Sequence, residues 1–71
     1  MSKNTIAGNI QKLRWENNMT QKEVAEYLGV NFQTVSKWER GSYYPDITLL
    51  PALADLFGVS VDTLLGHIPV K

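Results

Sequence analysis

Apolar positions recur with a helical period along nearly the whole of this 71-residue chain. Between about Thr5 and Asn17, Ile6, Ile10 and Leu13 fall at i, i+4 and i+7, one stripe of an amphipathic helix. Thr5 or Asn4 can cap it. Asn17-Asn18 ends it, because asparagine tolerates left-handed backbone, and Met19 follows as a core filler. A second helix is predicted over 21–28, with Val24, Ala25 and Leu28 on one face. Thr20 and Glu23 stand three apart at its start, the spacing of a capping box. Gly29 can take the left-handed conformation that closes it, with Val30 as the apolar plug behind. Asn31 restarts the chain as an N-cap. The third helix, 32–40, turns Val35 and Trp38 inward, and Gly41 stops it.

The loop S-Y-Y-P-D follows, in which Asp46 can cap a fourth helix over about 46–57. Ile47, Leu50, Leu53, Ala54 and Phe57 keep helical spacing there, but Pro51 lacks the N–H that a continuous helix needs. Either 46–50 form a separate turn with Pro51 at the first helical position, or one helix bends. Phe57-Gly58-Val59-Ser60 echoes Leu28-Gly29-Val30-Asn31, a reused corner that predicts a fifth helix over 61–65 with Leu64 and Leu65 turned inward. Gly66 ends it. Residues 1–4 read as a frayed start and 67–71 as a tail or the beginning of a linker. No segment alternates with period two, so the fold class is all-α, one domain over 1–66. Its core is expected to hold Ile10, Leu13, Val24, Ala25, Leu28, Val30, Val35, Trp38, Leu50, Leu53 and Phe57. Trp15 lies off the first helix's apolar stripe, either as a ring half-buried against the tail or as an interface anchor.

The stretch Thr20–Gly41 is two short helices joined by a turn too tight for full-sized side chains between them, with small Ala25 at the close approach. That is the pattern of a helix-turn-helix, which presents its second helix to a DNA major groove. It is also the pattern of an ordinary helical hairpin in a small domain. Net charge bears on the choice. Seven Lys and Arg balance seven Asp and Glu, whereas non-specific nucleic-acid affinity comes from cations on phosphates. Lys22, Lys37 and Arg40 lie within the motif, but so do Glu23, Glu26 and Glu39. Affinity for DNA is therefore expected to rest on base contacts, backbone amides and dimerisation.

The remaining composition narrows the classes. At this length a chain buries roughly 60% of its unfolded surface, and 44% hydrophobic residues can fill that core without staples. There is no cysteine, hence no disulfide or thiolate metal site. No apolar run approaches the roughly 18 residues of a membrane span, and the N-terminus has no signal-peptide core, so a cytoplasmic, nucleoid-associated protein is expected. Carboxylates are scattered, no phosphate-binding glycine loop or nucleophile elbow occurs, and the single histidine, His67, is in the tail. Neither catalysis, a cofactor nor a metal is expected.

The run T-Q-K-E-V-A-E-Y-L-G-V-N-F-Q-T-V-S-K-W-E-R-G, then Y-P-D-I-T-L-L and L-A-D-L-F-G-V-S-V-D-T-L-L-G, resembles the Cro/repressor type of helix-turn-helix domain, the xenobiotic-response-element family of bacteria and phages. The likeness spans about Ile6 to Gly66. It implies a compact five-helix, lambda-repressor-like DNA-binding domain and a transcriptional regulator, in the first instance a repressor. Positions matching Asn31, Phe32, Gln33, Ser36 and Lys37 face the groove in that family. Gln33 is the leading base reader, since an amide offers the donor and acceptor that adenine N6 and N7 require. Phe32 replaces a polar residue, either to meet thymine methyls or to cover Val35 and Tyr27. Gln21 matches a phosphate contact, with Lys22, Arg40, Ser42, Tyr43 and Tyr44 as further backbone candidates. Arg14 and Glu39 match a structural ion pair.

A single recognition helix reads few base pairs, so the resemblance further implies a homodimer on a near-palindromic operator with half-sites about 34 Å apart. Apolar residues continuing past the core place its contact around Leu64, Leu65, Ile68 and Val70. The rival is a protein-binding module, including the antitoxin of a toxin–antitoxin pair, which would lack salt-dependent DNA affinity if protein were its sole partner.

Overall fold

A computed structural model describes residues 5–66. Asn4 as a cap, the frayed start, and the tail with His67, Ile68 and Val70 lie outside the described residues. Five α-helices form the domain: α1 (Ile6–Glu16), α2 (Gln21–Leu28), α3 (Phe32–Glu39), α4 (Leu50–Phe57) and α5 (Val61–Leu64). A 3-10 turn, Ile47–Leu49, precedes α4.

Local chemistry accounts for each boundary. The Thr5 hydroxyl accepts from the Gly8 N–H at 3.0 Å. After α1 the chain turns through Asn18 at φ 57°, the left-handed geometry that its amide side chain tolerates. At α2 the capping box is complete: Thr20 Oγ1 accepts from the Glu23 N–H at 3.0 Å, while Glu23 Oε1 accepts from the Thr20 N–H at 2.8 Å. Gly29 closes α2 at φ 74°, and the Val30 N–H reaches back to the Ala25 carbonyl at 3.0 Å. The second corner repeats this geometry, with Gly58 at φ 70° and Val59 N–H on the Ala54 carbonyl at 3.0 Å. Hydrogen bonding from the Thr48 N–H, then from its hydroxyl, holds the Asp46 carboxyl below the usual aspartate range.

The fourth helical segment is close to the first of the two forms open to it, except that α4 begins at Leu50, directly after the turn, so Pro51 is its second residue and not its first. The 3-10 turn ends at Leu49, and Pro51 lies in the first turn of α4, where a missing N–H has no intrahelical partner to lose.

All five helices contribute to one core: Ile10, Val24, Ala25, Val35, Trp38, Leu53, Phe57 and Leu64 are buried. Leu13, Leu28, Val30 and Leu50, expected inside, are half-buried against it. α3 packs on α1 and α2, and α5 packs on α1 and α4. Asn9 Nδ2 donates to the Leu64 carbonyl at 3.1 Å, fastening α5 to α1. One expectation needs correction. Leu64 is fully buried, whereas Leu65 at the C-cap is exposed, because α5 is a single turn and only one of two adjacent leucines can face inward. Trp15 is 62% exposed, its ring beside the Arg14 guanidinium 5.9 Å away, and the tail that would half-bury it lies outside the described residues.

A polar ridge along α3 and its supporting network

The inner face of α3 is spent on Val35 and Trp38, so the helical period sends Gln33, Ser36, Lys37 and Arg40 to the opposite side and Phe32, one turn before Val35, to the flank between. These five line a shallow hollow of about 380 Å³. Gln33 and Lys37 are exposed and Ser36 is half-buried. Phe32 is 51% exposed and opens onto the same hollow.

Several of these side chains already have partners. Asn31 Oδ1 accepts from the Gln33 N–H at 2.8 Å, which caps α3 and fixes the orientation of the Asn31 amide. Arg40 Nη1 donates to Ser36 Oγ at 2.7 Å. Lys37 Nζ sits 5.0 Å from the centre of the Tyr43 ring, a cation–π distance. Among the described residues, no intramolecular hydrogen bond holds the Gln33 amide.

The ridge is held from behind by the Arg14–Glu39 pair. Arg14 Nε and Nη2 donate to the two Glu39 oxygens at 2.6 and 3.0 Å, and Arg14 Nη1 donates to the Met19 carbonyl at 2.9 Å. The Glu39 side chain is only 3% exposed. Gln21 joins this pair: its Nε2 donates to Glu39 Oε1 at 3.1 Å. The first residue of α2 is thus bonded to the last of α3, eighteen positions apart. This contact has no periodic signal.

The network also alters the electrostatics of the motif. Glu39 is neutralised by Arg14, and Glu23 is turned back onto the Thr20 backbone. Lys22, Lys37 and Arg40 remain exposed, together with Ser42, Tyr43 and Tyr44 in the loop beyond, but so do Glu23 and Glu26. The local balance is more positive than the stretch alone only by the charge that Arg14 sets against Glu39.

A larger open hollow, about 940 Å³, lies beside the far end of α3. Ile6, Tyr44, Ile47, Leu50 and Leu65 give it apolar walls, and Arg40 and Gly41 stand on its rim. Tyr44 and Ile47 are each 76% exposed. Sequence reasoning placed Leu65 near such a surface but missed Tyr44 and Ile47, which the buried Pro45 brings together with it.

Known proteins share this arrangement. The helix-turn-helix family is matched over residues 10–64. The chain is 41% identical over 57 residues to the HTH-type transcriptional activator BcrR of Enterococcus faecalis, covering 80% of this chain and 28% of that one. It is 36% identical over 62 residues to the transcriptional regulator ImmR of Bacillus subtilis, covering 87% and 49%. It is 32% identical over 61 residues to the cryptic phage CTXphi transcriptional repressor RstR of Vibrio cholerae, covering 86% and 55%. The chain spans between about a quarter and a little over half of these relatives' lengths. Among solved structures, a transcriptional regulator from Listeria innocua superposes with a TM-score of 0.84 at 33% identity, over 94% of this chain and 63% of that one. A family domain matched over most of the chain, with relatives and a solved structure of the same kind, leads to one conclusion: the chain belongs to the helix-turn-helix family, in its Cro/repressor, xenobiotic-response-element type.

Proposed function

We propose that the domain reads a near-palindromic operator as a two-fold dimer, with α3 in the major groove, and represses by occupying that operator in the cytoplasm. The observation that carries this reading is the ridge on α3. Phe32, Gln33, Ser36, Lys37 and Arg40 share one hollow on the outward side of a helix whose other side is locked into the core. Gln33 reads a base edge, Phe32 meets a thymine methyl, and Lys37 reaches a guanine or a phosphate. Asn31, its amide oriented by the cap, offers its Nδ2 protons. Gln21, Lys22, Arg40, Ser42, Tyr43 and Tyr44 fix register on the backbone. Relatives are named as activators as well as repressors; repression follows from occupancy alone wherever an operator overlaps a promoter.

The dimer contact is the larger hollow. Its walls pair projecting apolar side chains, Tyr44, Ile47 and Leu65, with a recess, which is what an isologous contact requires of one surface. Leu64 is excluded from that contact by its burial. The domain measures 37 × 24 × 24 Å, so touching copies place their centres within a range that includes one DNA helical turn, roughly 34 Å.

Selection from random duplexes, then titration of the winner at two salt concentrations, tests this reading. Enrichment of a palindrome with half-sites about one turn apart is the expected result. Weak, unselective binding that disappears at moderate salt would instead favour a protein partner, such as the toxin of a toxin–antitoxin pair.

A further inference from the structure

We propose that Glu39 is a positioning residue for DNA binding: beyond bracing α1 against α3, it orients the Gln21 amide toward a phosphate. The proposal rests on the reading above, in which Gln21 meets the DNA backbone. A carboxylate can only accept, so Glu39 Oε1, 3.1 Å from Gln21 Nε2, dictates which end of that amide turns inward. One Nε2 hydrogen is taken by Glu39; the second is left for a ligand. Gln21 is also the first residue of α2, where backbone N–H groups lack intrahelical partners and attract anions. Arg14 makes the arrangement tolerable to a phosphate. Its two bonds at 2.6 and 3.0 Å cancel the Glu39 charge that would otherwise repel one. The two halves of the motif are thereby registered by a side-chain contact at the surface that meets the duplex, in addition to their turn.

The test replaces the pair together, Arg14→Met with Glu39→Leu, because an apolar exchange of a buried ion pair is often neutral for folding and leaves net charge unchanged. Affinity for the selected operator and for a scrambled duplex should fall by the same factor, roughly three- to tenfold for one oriented hydrogen bond, with the salt slope unaltered. In a Gln21→Ala background the pair exchange should cause no further loss. Wild-type affinity in the pair variant, or a loss that persists undiminished without Gln21, would overturn the positioning role. If Gln21→Ala alone binds as wild type, the phosphate contact itself fails, and the proposal with it. A measurement free of folding effects is 15N relaxation of the Gln21 side-chain amide in the unaltered free protein. Order comparable to the backbone is expected, and free tumbling would overturn the proposal.

Discussion

At Asn31, capping and base recognition draw on the same oxygen. One lone pair of its Oδ1 is taken by the Gln33 N–H, so the cap, worth about 1 kcal/mol, limits the angles at which that oxygen can also meet a base. The Gln33 side-chain amide carries no such obligation, and on the proposed reading base discrimination falls to it. Gln33→Ala should therefore relax preference at one position of each half-site by about 1–3 kcal/mol while leaving the other positions as they were. Selection repeated with the variant reads this directly; an unchanged preferred sequence would mean that α3 does not lie in the groove as proposed. Arg40 and Lys37 present a different balance. Each has an intramolecular partner, Ser36 and the Tyr43 ring, that DNA must replace, so their gain on binding is a difference between two sets of contacts.

Among the elements, the corners were the most legible part of the sequence. Thr20, Glu23, Gly29 and Asn31 act within a few residues of themselves, and the same rules applied at Gly58 and Ser60 gave the second corner. Thr20→Ala should destabilise the domain by about 1 kcal/mol, read as a lower midpoint in chemical denaturation, without altering which DNA sequence is preferred. Where a signal needed several turns to average over, it weakened. α5 offers one turn, and periodicity could not choose between Leu64 and Leu65. At Pro51 the sequence posed two admissible backbones; the fold has a 3-10 turn running into α4, with Leu50 and Leu53 on the core side. The Gln21–Glu39 bond was not legible at all, because it depends on how α2 and α3 cross.

For the whole molecule, the apolar hollow is where sequence reasoning had least purchase. Tyr44 and Ile47 read as a loop residue and as the start of a helical stripe, yet the fold exposes both around a recess that also holds Leu65. Ile47→Asp, which adds a charge to that wall at a largely exposed side chain, should shift a monomer–dimer equilibrium toward monomer by at least tenfold in sedimentation. It should lower affinity for a two-half-site operator much more than for a single half-site. Equal sedimentation of variant and wild type would place the dimer contact elsewhere.

Arg40 stands on the rim of both hollows, the one along α3 and the one beside Tyr44 and Ile47. On the proposed reading, with a second copy in one and an operator in the other, anything that holds Arg40 differently in one hollow would be felt in the other, and by thermodynamic reciprocity to the same degree. Occupancy would then rise roughly as the square of the protein's concentration while monomer predominates. A gene under such a domain would follow abundance more steeply than it follows a monomer, so synthesis and degradation of the regulator become part of its control.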